Sequence, residues 1–153
     1  MIIDNGRVLY VHKRAIITED RLGIVNTSAG VDRSNSGSQS GDLAIFLPAN
    51  PDSSAKGISQ GLKRRFGKDV AVLVIDSLGR PWRRGSVGMV IGVYGIEPVV
   101  HNTAQDLSGR QINPEIAIAD EIAAAGALLM GEADEGIPNR TGSRPQPPFH
   151  LIG

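Results

Sequence analysis

The chain has 153 residues, no cysteine, 16 lysine plus arginine against 16 aspartate plus glutamate, and ordinary hydrophobic (41%) and charged (21%) fractions. That length holds one domain with a real core rather than two, and the balanced charge gives no global electrostatic case for a nucleic-acid or anionic-membrane partner. The lack of cysteine excludes a disulfide scaffold, a thiolate metal site and a cysteine nucleophile; with no apolar run of membrane-spanning length and no secretion signal, the expectation is a cytoplasmic protein.

In chain order, residues 1–26 read as strands. Val8-Leu9-Tyr10-Val11 and Ala15-Ile16-Ile17-Thr18 are β-rich, Glu19-Asp20-Arg21 is a polar turn, and Leu22-Gly23-Ile24-Val25-Asn26 is a further strand. Thr27 to Gly37 is small and polar throughout and forms a loop, which Ser38-Gln39-Ser40-Gly41 continues. Within it Asp32 and Asn35 stand three apart, so a carboxylate and an amide either face one ligand or bond their own turn.

Leu43-Ala44-Ile45-Phe46-Leu47 is a strand stopped by Pro48. Pro51-Asp52-Ser53-Ser54 opens a helix with Asp52 or Ser53 as its cap. Its apolar stripe is Ala55, Ile58, Leu62 and Phe66, and Gly67 stops it. Lys63, Arg64 and Arg65 in the last turn complement the helix dipole, the alternative being a phosphate-binding patch.

The stretch of most chemical interest follows. Val70 to Ile75 is apolar, β-branched and short, the pattern of a buried strand that delivers Asp76 at its end. Gly79, Pro81 and Gly85 break regular structure, and Trp82 is crowded together with Arg80, Arg83 and Arg84. A carboxylate leaving a strand into a basic, glycine-punctuated loop suits a metal and an anion; the plainer reading is a surface turn with solvated arginines.

Val87 to Gly95 is a strand carrying Gly88, Gly92 and Gly95, which implies close approach of another backbone or ligand, or a bulge. Residues 97–111 show no periodicity, and His101 has no companion at ligand spacing. Asn113-Pro114-Glu115 reads as the cap and first turn of a helix running to Met130, with Ile118, Ile122, Ala125 or Gly126, and Leu129 on its buried stripe, and Gly131 ends it. Residues 137–153 form a proline-rich, loosely attached tail beyond a domain of residues 1–136.

Several of these pieces together carry a resemblance. They are Thr27-Ser28-Ala29-Gly30-Val31-Asp32-Arg33-Ser34-Asn35, Leu47-Pro48 with Asn50-Pro51-Asp52-Ser53-Ser54-Ala55, and Asp76-Ser77-Leu78-Gly79-Arg80-Pro81-Trp82-Arg83. Ile91-Gly92-Val93, Asp106-Leu107-Ser108-Gly109-Arg110, Ala119-Asp120-Glu121 and Leu129-Met130-Gly131 follow in order. Over roughly residues 8 to 136 the series resembles the coenzyme F420-0:L-glutamate ligase family.

The resemblance implies an α+β protein with a mixed or antiparallel sheet and two main helices, forming an intertwined homodimer. It implies a GTP-dependent amide ligase that adds L-glutamate to coenzyme F420-0 through an acyl phosphate, first by the α-amine and then by a γ-glutamyl link. A divalent ion, Mn²⁺ or Mg²⁺, would serve it, with a monovalent cation such as K⁺ helping. By position, Asp32 and Asp76 match metal-ligating aspartates and Ser77 the metal-binding threonine beside the second. Asn35 matches a nucleotide contact, and Met130, Gly131 and Glu132 fall on a nucleotide and metal contact that normally ends in glutamine. Hard cations take oxygen ligands, which these residues supply, and phosphoryl transfer needs charge neutralisation, a catalytic task that suits Arg80 and Arg83.

Departures from the family pattern also set expectations. A region before Met1 with a glycine-containing loop and a Ser-Lys nucleotide segment is expected of the family, as is a valine-rich strand beyond Gly136. The metal centre is therefore expected to be partly present and the nucleotide pocket open. Ser77 keeps the hydroxyl of threonine, Leu78 replaces phenylalanine, and Glu132 adds negative charge. The alternatives are a truncated, catalytically silent homologue that binds only a metal or an intact partner, and an unrelated metal-dependent phosphate-binding domain.

Overall fold

The computed structural model describes residues 2–13, 15–32, 43–81 and 83–132. A short helix α1 (Ile2–Asn5) leads into strands β1 (Gly6–His12), β2 (Ala15–Asp20) and β3 (Val25–Thr27) and a tight turn at Ser28–Gly30. Helix α2 (Pro51–Phe66) precedes the hairpin of β4 (Val72–Gly79) and β5 (Ser86–Tyr94). Four two-residue strands, β6 (Val100–His101), β7 (Ala104–Gln105), β8 (Gln111–Ile112) and β9 (Glu115–Ile116), lead to helix α3 (Ile118–Met130). Among the described residues the strands pair as β1-β2-β3, β4-β5, β6-β9 and β7-β8, all antiparallel. The α+β class and two main helices expected from the sequence are present, in small antiparallel sheets.

Both long helices pack on β5, and its glycines explain how. A Cβ on Gly88 would lie 2.5 Å from Ala127 Cβ and 3.0 Å from the Ala123 carbonyl oxygen of α3. One on Gly92 would lie 2.4 Å from Pro51 Cβ and 2.5 Å from the Pro51 carbonyl carbon of α2. Glycine is needed because helix backbone occupies the space a side chain would take, so close packing accounts for these two positions. Each helix also sends a first-turn carboxylate to the strand. Asp52 Oδ1 accepts the Val93 N–H at 2.7 Å, and Asp120 Oδ1 accepts the Val90 N–H at 2.9 Å. Between them Ile91 is skipped in the register, since Val74 pairs with Gly92 and Ile75 with Val90. A bulged strand whose outward N–H groups are satisfied by side chains does not offer a template for another strand.

The helix faces differ from those read off the apolar spacing. The buried side of α2 is Pro51, Ala55 and Ser59, whose hydroxyl donates to the Val70 carbonyl at 2.7 Å, while Ile58 and Phe66 are exposed. In α3 the buried residues are Ala119 and Ala123, and Ile122 and Leu129 are exposed. Helices held this close to a strand bury small side chains, so the large ones turn outward. The α2 cap is Asn50, whose side chain accepts from Ser53 N at 2.9 Å, with Pro51 at the first helical position. Gly67 ends the helix in the left-handed conformation, as expected.

Other boundaries move for local reasons. Residues 2–5 are helical rather than extended, and Glu19 and Asp20 belong to β2, so the turn falls at 21–24. Of the expected strand 43–47 only an isolated bridge forms, between Asp32 and Ile45. Glu115 and Ile116 pair with β6 instead of opening α3, which begins at Ile118. His101 Nδ1 lies 3.3 Å from Glu115 Oε1 on that exposed ribbon. The strand expected to end at Ile75 runs on through Asp76 and Ser77, because β5 pairs with it as far as Gly79. The tail at 137–153 lies outside the described residues.

Gly92→Ala must push helix backbone away from β5, and a loss of about 2–3 kcal/mol in urea denaturation is expected from such overpacking. Gly57, in the same α2 with nothing within 4 Å of its Cβ position, provides the contrast: Gly57→Ala should gain about 0.5–1 kcal/mol in the same assay.

Candidate functional site

The site forms where β4 faces the segment that follows β3. Leu78, 4% exposed, anchors β4, and the preceding residues Asp76 and Ser77 pair with Met89 and Gly88 of β5. Across from them the end of β3 comes close to Gly79, where a Cβ would lie 3.1 Å from Thr27 Oγ1. The chain then turns through three consecutive residues of positive φ, Ser28 at 67°, Ala29 at 54° and Gly30 at 64°. Two of these are not glycine, and each such residue stores roughly 1–2 kcal/mol of strain. The turn closes with Val31 N–H donating to the Ser28 carbonyl at 3.0 Å and hands on to Asp32, whose backbone pairs with Ile45.

A buried polar network holds this turn. Thr18, fully buried, accepts the Ala29 N–H on its Oγ1 at 2.7 Å, and Asn5 Nδ2 donates to the Ala29 carbonyl at 2.9 Å. Behind them Asn26 Nδ2 donates to Asp20 Oδ2 at 2.7 Å, while Asp20 Oδ1 accepts from the Leu22 and Ile24 amides at 2.8 and 3.1 Å. None of these four side chains stands out in the sequence as part of a site. The one signal available is a β-rich segment whose inward positions, Thr18, Asp20 and Asn26, are polar.

Together these elements line an open cavity of about 440 Å³. Its walls include Ser28, Asp32, Asp76, Ser77, Gly79 and Glu132. Four of the residues singled out in the sequence, Asp32, Asp76, Ser77 and Glu132, thus meet from three distant parts of the chain. Ser77 Oγ donates to Glu132 Oε2 at 2.6 Å, joining β4 to the second residue past α3. Burial raises the Asp76 carboxyl above its ordinary value; the negative charges of Asp32, Asp20 and Glu132 push the same way, and the Ser77 backbone hydrogen bond opposes them.

Carboxylates that repel one another around a cavity, with a hydroxyl beside them, are the donor set that a hard divalent cation takes. Among the described residues no three acidic or histidine side chains already close into a cage. They line the walls, an open arrangement with room for further oxygen ligands, so the residues fit a cation bound together with an oxygen-bearing substrate.

Of the other positions, Arg80 and Arg83 follow β4 but do not line the cavity, and neither do Met130 and Gly131. Arg83 is exposed, while Arg80 has its Nε buried without a hydrogen-bond partner among the described residues. Asn35 lies outside the described residues.

The family model described as F420-0:Gamma-glutamyl ligase matches residues 1–139. The chain belongs to that family. It is 40% identical over 137 residues to the coenzyme F420:L-glutamate ligase of Methanothermobacter thermautotrophicus, covering 88% of this chain and 53% of that one. To the protein of the same name from Methanocaldococcus jannaschii it is 43% identical over 146 residues, covering 90% and 55%. A Methanococcus maripaludis relative of that name is 43% identical over 125 residues, covering 80% and 49%. The chain therefore spans about half the length of the curated relatives it matches. Among the described residues no helix is long and apolar enough to cross a membrane.

Within this member of the family the Asp76 charge should oppose folding. A carboxyl whose folded pKa is raised binds protons more readily when folded, so its contribution to stability falls as pH rises through the window between the unfolded and the folded value. Asp76→Asn should therefore raise the thermal midpoint at pH 7 in metal-free buffer. The difference from the parent chain should shrink toward zero as the pH is lowered to the ordinary carboxylate value, as followed by circular dichroism melts across that range.

Proposed function

We propose that this chain carries the metal-binding half of a GTP-dependent ligase site that joins L-glutamate to coenzyme F420-0. The observation that carries the reading is the single cavity in which Asp32, Asp76, Ser77 and Glu132 converge, in a chain of the ligase family. These residues would hold Mn²⁺ or Mg²⁺, and the bound cation would neutralise charge on the phosphate oxygens of GTP. K⁺ would assist as a monovalent cation.

In this reading the acceptor carboxylate attacks the γ-phosphorus of GTP, forming an acyl phosphate and releasing GDP. The glutamate amine then attacks the acyl carbonyl, displacing inorganic phosphate and leaving an amide after loss of a proton. The chain needs no nucleophilic side chain for either step. Its contribution is to position the groups and stabilise the charge that develops. Asp32 and Asp76 both line the cavity and bring negative charge to it, and the Ser77 hydroxyl is oriented by its bond to Glu132. Arg80, with a donor to spare at Nε, and Arg83 are assigned to the developing phosphate charge. Asn35, Met130 and Gly131 are assigned to the nucleotide.

The reading includes a homodimer in the cytoplasm. Its support is the apolar surface left on the long helices, where Ile58, Phe66, Ile122, Leu128 and Leu129 are all exposed. The relatives are named as ligases, which makes a catalytically silent homologue the less favoured alternative.

The test is mass spectrometry of coenzyme F420-0 after incubation with the chain, GTP, L-glutamate and Mn²⁺, with Asp76→Asn as the blank. A gain of one or more glutamyl units, absent from the blank, is the expected outcome. A folded, Mn²⁺-binding sample that gives no gain would overturn the assignment of a working ligase site to this chain.

A further inference from the structure

We infer that Thr18 is a positioning residue for the cation site: it holds the strained Ser28–Gly30 turn in the conformation that places Asp32 in the cavity lining it shares with Asp76. The inference rests on the cation reading of the cavity given above and goes beyond it to residues that do not touch the cavity.

Ala29 is gripped through both of the peptide groups that flank its Cα, its N–H by Thr18 Oγ1 at 2.7 Å and its carbonyl by Asn5 Nδ2 at 2.9 Å. Both Ala29 and Thr18 are fully buried. With φ at 54°, Ala29 occupies a region that an alanine leaves readily when nothing holds it there. The Ala29 N–H is buried, so the Thr18 hydroxyl both satisfies the amide and favours the left-handed form. Asp32 is three residues on, tied to the turn through the Val31 bond and to Ile45 on its far side. A rotation at Ala29 therefore moves one acidic wall of the cavity while leaving β4, and with it Asp76 and Ser77, in place. Gly6 completes the fit: a Cβ there would lie 2.6 Å from the Glu19 carbonyl oxygen and 3.0 Å from Ala29 Cβ, so the turn is also wedged against the β1-β2 pair.

The experiment is titration of Mn²⁺ alone into the full chain, with free Mn²⁺ followed by electron paramagnetic resonance. Thr18→Val keeps the branched shape and removes the acceptor, Thr18→Ser keeps the acceptor, and Ala29→Gly placed on Thr18→Val removes the strain at residue 29. Mn²⁺ affinity should fall about tenfold or more in Thr18→Val, stay within about twofold of the parent in Thr18→Ser, and recover in part in the double variant. Asn5→Ala, which frees only the carbonyl side, should weaken binding in the same direction and serves if Thr18→Val does not fold. Parent-like affinity in folded Thr18→Val, or in Asn5→Ala where it alone folds, would overturn the positioning role. Asp76→Asn separates the two ideas: if Mn²⁺ affinity is unchanged there, the cation reading itself fails and the inference falls with it.

Discussion

Close approach of two helices to one strand is the constraint on which the remaining architecture depends. At Gly88 and Gly92 the backbones of α3 and α2 take the space of a side chain, so neither helix can reach β5 if those positions carry one. Asp52 and Asp120 then complete the contact by accepting N–H groups of the same strand. Since β5 pairs with β4 from Ser86 to Tyr94 with only Ile91 skipped, the helices fix the strand that carries Asp76 and Ser77. The second residue past α3, Glu132, in turn accepts from Ser77. Packing at two glycines thus reaches the cavity through a strand pair and a helix terminus.

The wall that carries Asp32 is built by different means. There polar groups, rather than apolar packing, hold a backbone conformation that the residues themselves disfavour. Ser28 and Ala29 both have positive φ, and the cost is offset by two buried hydrogen bonds at Ala29, whose N–H donates to Thr18 and whose carbonyl accepts from Asn5. Such networks stabilise only when every member is satisfied, and here Asp20 and Asn26 stand behind Thr18 with their own bonds made. The site also carries unfavourable charge, since Asp32, Asp20 and Glu132 all push the Asp76 carboxyl upward on top of its burial. Strain and like charge gathered at one cavity are the usual marks of a place kept for binding rather than for stability.

Packing small residues inward has a consequence for the surface. Among the described residues the buried apolar set is Ala29, Ala55, Leu78, Ala119 and Ala123. Large apolar side chains such as Phe66 at 60% exposure and Leu128 at 63% face outward. The chain spans about half the length of its curated relatives.

What the sequence determined by itself was helices near 51–66 and ending at Met130 and the glycine-bearing strand; the α+β class and the full set Asp32, Asp76, Ser77 and Glu132 came with the family resemblance that its motif series carries, and one cavity unites that set. Those are local or pattern properties: capping residues, β-branched runs, glycine after a helix, and residue types at fixed spacing. Tertiary structure alone decided which helix face is buried, because the apolar stripe through Ile58 and Phe66 lost to the small residues that fit against β5. It also decided that β4 extends past Asp76, since a strand's length depends on its partner's register, and that Glu115 pairs with β6 rather than opening a helix. The left-handed turn at Ser28–Gly30 was illegible for the same reason. Serine and alanine do not choose positive φ on their own; buried partners more than ten and twenty residues upstream, Thr18 and Asn5, impose it.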